Sequence, residues 1–129
     1  MRTQTATQGT AHIRAEVRHR LASWHLDALV DDALLVITEL AGNAVRHGVP
    51  PVSIRVRRTH DEHGRHCVLL EVDDAGPGID VAWVRARWRH PSYTFADGGR
   101  GLFIVNALAD SWGDTVHARG HTTWARLGM

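Results

Sequence analysis

The chain has 129 residues, 43% of them hydrophobic and 22% charged, and a net charge of +1. That is one ordinary folded domain, large enough to bury a core without disulfides or a structural metal. Cys67 is the lone cysteine, which excludes a disulfide framework, and the scattered arginines do not form the concentrated basic run of a nucleic-acid binder. The sequence also contains no lysine: all fifteen Lys+Arg residues are Arg. A Walker A loop and a eukaryotic-type protein kinase each need a Lys on the phosphates, so both chemistries are excluded. Any phosphate site must use backbone amides, a metal and Arg. The start of the chain has no signal-peptide core and no run reaches transmembrane length, so a cytoplasmic protein without membrane contact is expected.

Residues 1–9 are polar and Thr/Gln-rich and read as a flexible start, with one domain over 10–129. Ile13, Val17, Leu21 and Trp24 recur at helical spacing and predict a first helix from Thr10 to Trp24. Asp27 suits the cap of a second helix running to His47, with Val30, Leu34, Ile37, Ala41 and Val45 as its core stripe. Gly48, Pro50 and Pro51 end it. Val52–Thr59 alternates apolar and polar residues and Cys67–Asp73 is strongly apolar, so the two predict a hairpin around His60–Gly64. His60, His63 and His66 flank that turn, where a solvated tip accounts for them more simply than a metal site does. A Gly/Pro turn over Asp74–Gly78, a short helix over Ile79–Arg89, a loop through Gly99 and a helix over Gly101–Asp110 follow. Trp112–His117 and Thr122–Leu127 form a second hairpin. This order predicts an α+β fold in two layers, a mainly antiparallel sheet with helices on one face. Trp83 and Trp88, among Arg85, Arg87 and Arg89, are candidates for a partner surface.

Three segments carry candidate chemistry. Glu39, Asn43 and His47 stand at i, i+4 and i+8 and share a helix face bordered by Leu35, Val36 and Leu40, an odd setting for a solvated stripe. Asp74-Ala75-Gly76-Pro77-Gly78 follows an apolar strand; its carboxylate can accept from an exocyclic amine, and its glycines allow close approach of a ligand. A plain turn would have the same composition. Gly98-Gly99-Arg100-Gly101-Leu102 opens a helix, where free amides and the helix dipole favour an anion.

Together and in this order, the segments resemble the N, G1 and G2 boxes of the GHKL ATPase superfamily. The likeness is nearest to the stand-alone anti-sigma-factor serine/threonine kinases, whose domain is histidine-kinase-like. It rests on Thr38-Glu39-Leu40-x-x-Asn43-Ala44-Val45-Arg46-His47-Gly48, Val72-x-Asp74-x-Gly76-x-Gly78 and Gly99-Arg100-Gly101-Leu102, with Trp112-Gly113 and Thr122-Thr123-Trp124-Ala125 near the end. The resemblance implies a Bergerat fold that binds ATP with Mg²⁺. Asn43 would hold the metal and Glu39 would orient or deprotonate the attacking hydroxyl. Asp74 would accept from the adenine amino group, with Gly76 and Gly78 against the nucleotide. Gly99, Arg100, Gly101 and Leu102 would close on the phosphates, and His47 would cap the helix or touch the ligand. The Asp-x-Gly-x-Gly spacing selects Asp74 over Asp73.

The resemblance further implies a sigma factor and a STAS-type anti-anti-sigma protein as partners in a switch, allows a homodimer, and involves no direct contact with nucleic acid. One departure bears on activity: some members carry an Arg shortly before the lid glycines, where this chain has Asp97. The alternative is therefore an ATP-dependent module that sequesters a partner with negligible transfer. A histidine-kinase catalytic domain is disfavoured, because His19 lacks the setting of a phospho-accepting dimerisation helix.

Overall fold

The computed structural model describes residues 3–5, 9–90 and 100–128. The described elements run β1 (Thr3–Thr5), α1 (Thr10–Ser23), a 3-10 turn (Asp27–Leu29), α2 (Val30–His47), β2 (Ser53–His60), β3 (His66–Asp74), α3 (Val81–Trp88), α4 (Arg100–Leu108), β4 (Ser111–His117) and β5 (Gly120–Gly128). The strands form one five-stranded sheet in the order β1-β2-β3-β5-β4, and every neighbouring pair is antiparallel. The two-layer α+β architecture expected from the sequence is the one observed.

The second helix organises the core. Ala and Leu favour the helical state, Asp31 and Asp32 complement its N-terminal dipole, and Arg46 and His47 complement its C-terminal end. Ala33, Val36, Ile37, Leu40 and Ala44 are buried. They meet an inward sheet face made of Ile54 and Val56 on β2, Val68, Leu70 and Val72 on β3, and Ala125 and Leu127 on β5. Ile13, Val17 and Leu21 bring α1 into the same core, and Leu102 and Val105 bring α4. Burying each such side chain contributes about 1.5–3 kcal/mol.

Three expectations need correction. Thr3–Thr5, in the stretch read as a flexible start, pair with Ser53–Arg55 as an edge strand. Polar threonines carry no alternating pattern, so backbone pairing alone defines this strand. Asp27 opens the 3-10 turn and does not cap α2, whose N-cap is Leu29 with no side-chain cap bond. Val45 is 62% exposed and not core. A 3.6-residue period counted from Ile37 reaches Ala44, and Ala44 takes the inward slot of the last turn.

Asp80 does cap α3, accepting from the Trp83 amide at 3.0 Å. Of the two tryptophans on α3, Trp88 packs edge-on against Phe103 with ring centroids 5.3 Å apart and lies 6.2 Å from Trp112. Trp83 is exposed, with the Arg87 guanidinium 4.8 Å from its ring centroid. Cys67 is buried in β3, consistent with a packing role. No described helix is long and apolar enough to cross a membrane.

Candidate nucleotide site

A cavity of about 170 Å³ opens between the C-terminal half of α2, the end of β3 and the start of β5. Leu40, Asn43, Ala44, His47 and Gly48 line it from α2, Asp74, Gly76, Pro77 and Ile79 from the turn after β3, and His121 and Thr123 from β5. The helix spacing explains the first group: Asn43 and His47 lie one turn apart, beside the buried stripe of Leu40 and Ala44. Strand alternation explains the others. Val68, Leu70, Val72 and Asp74 point to the helix side of β3, opposite Leu127, Ala125, Thr123 and His121 of β5.

Asp74 is 5% exposed and heavily bonded. Its Oδ1 accepts from the Gly76 amide at 2.7 Å and the Val49 amide at 3.3 Å, while Oδ2 lies 2.9 Å from His121 Nε2. The Ala75 amide donates to the Val49 carbonyl at 2.7 Å, joining the exit of α2 to this turn. Gly48 lies so close that a Cβ there would overlap the Asp74 carboxylate and come within 2.6 Å of the Ala44 carbonyl oxygen. Asp73 points to the opposite face and bonds Ser53, Arg55 and Thr122. The neighbouring aspartates therefore occupy separate environments.

Glu39, one turn before Asn43, is half-buried beside the N-terminal end of α4. A Cβ on Gly101 would stand 2.7 Å from Glu39 Oε2 and 3.6 Å from Asn43 Oδ1. Gly101 thus permits helix and carboxylate to approach. Leu102 is buried and anchors α4, and Arg100 is exposed at its first position. Gly78 sits against Asp114 and Val116 of β4, outside the cavity wall. Gly99 and Asp97 lie outside the described residues, as does the loop leading to them.

The sequence reading missed Asp114, His121 and the inward position of Thr123. The Asp114 carboxylate accepts from the Ile79 amide and the Thr123 hydroxyl, each at 2.9 Å, and is bonded to His121 Nδ1. Burial works against a charge on His121, but the hydrogen bonds and charges of Asp114 and Asp74 outweigh it and raise the imidazole pKa above 6.5. A signal for this cluster was present. Counting back by two from Leu127 and Ala125 puts Thr123 and His121 on the buried face.

The family model for the histidine kinase-like ATPase domain matches residues 5–128. The chain belongs to that family. Membership accounts for the antiparallel sheet with helices on one face, and makes this histidine kinase-like ATPase domain an ATP-binding domain of the GHKL type. No curated protein matches the chain.

Proposed function

We propose that this domain binds Mg·ATP in the α2–β3–β5 cavity and acts as an anti-sigma factor and protein serine/threonine kinase, phosphorylating an anti-anti-sigma partner of STAS type. One observation carries the proposal. Gly101 opens α4 directly against Glu39 and Asn43, while Asp74 floors the cavity that Asn43 lines. The first and second motif segments, remote in sequence, therefore line one cavity, and the third packs beside the first.

Asp74 would accept from the adenine amino group. Guanine presents an oxygen there, leaving the remaining acceptor direction of Asp74 unpaired at a cost of about 1–3 kcal/mol. Gly76 would bring backbone against the nucleotide, while Gly78 packs on β4 behind it, and His47 lines the cavity for a ligand contact. The amides of Arg100, Gly101 and Leu102 at the start of α4 would face the phosphates. Mg²⁺ would neutralise charge on the phosphate oxygens. Asn43 suits it as a hard amide-oxygen ligand, since this ion takes few protein ligands. Glu39 would take the proton of an acceptor Ser or Thr hydroxyl as its oxygen bonds to the γ-phosphorus. The bond from phosphorus to the β,γ-bridging oxygen breaks, and ADP leaves.

Asp97, at a place where some relatives carry Arg, favours a second reading: a module that holds a sigma factor in an ATP-dependent way and transfers little phosphate. Labelled γ-phosphate, offered with a STAS-type protein, separates the two. The kinase reading expects label on a Ser or Thr of that protein. Glu39→Ala should remove it, a loss of about 10²–10⁴-fold, while ATP affinity stays within a few-fold. A parent protein that binds ATP and its partner but transfers nothing establishes the module.

A further inference from the structure

His121 has both ring nitrogens committed to buried carboxylates. Nε2 lies 2.9 Å from Asp74 Oδ2, Nδ1 is bonded to Asp114 Oδ1, and the three side chains are 6%, 4% and 2% exposed. An ionised carboxylate only accepts hydrogen bonds, so both nitrogens must carry a proton. Donors already on both acids favour their ionised forms. Asp74 Oδ1 already receives two amides, and Asp114 receives the Ile79 amide and the Thr123 hydroxyl. The cluster is an imidazolium between two carboxylates, with a net charge of −1.

This arrangement determines what Asp74 can offer a ligand. Each carboxylate oxygen has about two acceptor directions. On Oδ1 both are taken by Gly76 and Val49, and on Oδ2 one is taken by His121. A single acceptor direction remains. Building on the adenine-reading role proposed above for Asp74, we infer that His121 is a positioning residue for nucleotide recognition: it pins Asp74 with one free acceptor direction for an exocyclic amine, and it ties adenine-nucleotide affinity to its own protonation.

Deprotonation breaks the arrangement. A neutral imidazole has one N–H for two carboxylates, so one nitrogen lone pair must face an oxygen. The contact to Asp114 is the shorter, at 2.5 Å against 2.9 Å, so Nδ1 keeps the N–H, which leaves Nε2 repelling Asp74 Oδ2. The ring and the Asp74 carboxylate then turn from one another, and the acceptor direction is lost. The groups facing His121 are Asp74 from β3, Asp114 from β4 and Thr123 from its own strand, with His47 and Asn43 of α2 across the cavity. His117 of β4 bonds Thr122 on the other face. Asp74 and Asp114 favour the charged ring, and His47 is the one other titratable group among those lining residues.

The test combines a ring titration with binding. Proton NMR of the ligand-free protein should show the His121 ring titrating above the ordinary histidine value. Calorimetric titration with ATP should show affinity falling through that same pH interval, by about ten-fold, the worth of one charge-assisted hydrogen bond. His121→Gln should bind ATP about ten-fold more weakly than the parent at neutral pH. The ratio of the two affinities should fall toward unity as pH rises. That ratio cancels the ionisation of ATP and of His47, which both proteins share. A ring that titrates at or below the ordinary value overturns the clamp, whether or not the variant folds. A parent that binds ATP with a ratio of one at every pH overturns this inference and leaves the proposed ATP site standing. A parent that binds no ATP at any pH overturns both.

Discussion

Asp74 is a buried carboxylate whose partners are two backbone amides and one imidazole, with no Arg or Lys among them. A charge held this way is stabilised by dipoles of fixed direction, and replacing it exposes each of them. In Asp74→Asn, the oxygen can still accept from Gly76, but the amide nitrogen would then meet His121 Nε2–H, donor against donor. An incoming adenine amine would also meet a donor. ATP affinity should therefore fall by about 10²-fold or more, measured by calorimetry against the parent. Near-equal affinity would place the nucleotide elsewhere. The adjacent Asp73 makes a sharp control, because its bonds to Ser53, Arg55 and Thr122 lie on the opposite face of the sheet. One residue of register separates a cavity-facing acid from one on the opposite face of the sheet.

At the scale of the element, α2 carries both the core and the site on adjoining faces, and its exit is the tightest point. Gly48→Ala would drive a methyl into the Ala44 carbonyl and the fixed Asp74 carboxylate, neither of which is the loose end of a side chain. Overpacking of this kind costs about 1–3 kcal/mol. The melting temperature should drop by roughly 5–10 °C, and calorimetry should show weaker ATP binding in the same variant. A melting point unchanged from the parent would mean that the α2 exit and the Asp74 turn are free to separate.

The same helix shows what the sequence could and could not reveal. The shared face of Glu39, Asn43 and His47 was legible from their period of 3.6, but a polar file alone also suits a solvated surface, and only its company with the other two segments marked it as a candidate. The Asp74 turn was legible because it ends an apolar strand. The alternation of β5 puts His121 on the buried face, but its meeting with Asp74 and Asp114 was not legible, because only the pairing of β3, β5 and β4 brings the three together. Edge strand β1 was hidden for a related reason: its pairing with β2 is long-range, and the sequence Thr-Gln-Thr has no apolar residue to announce it.

At the scale of the whole molecule, two ionisable groups make stability contributions with opposite pH dependence. Asp61 organises the β2–β3 turn by accepting from the amides of Arg65 and His63 and from the Arg65 side chain. The Arg65 amide is the chief cause of its pKa lying below 3.8. A depressed acid stabilises the fold above its unfolded value, and that contribution is lost as pH falls through the folded one. His121 works the other way. Its folded pKa is raised above 6.5, so its contribution is complete below the unfolded value and disappears as pH rises through the folded one. Above that point β3, β4 and β5 are joined at the cavity by two carboxylates and a neutral ring, with a buried net charge of −2. Thermal unfolding in the absence of nucleotide should therefore show the melting temperature falling on the alkaline side of neutrality, over the interval in which the His121 ring titrates. Asp114→Asn removes the acid whose hydrogen bond and charge do most to raise that pKa, so the alkaline fall should begin at lower pH. The variant should also start from a lower maximum, because the Ile79 amide and Thr123 hydroxyl lose an ionised acceptor. A parent whose melting temperature is flat from neutral to alkaline pH would show that the imidazolium contributes nothing to holding the sheet together at the cavity.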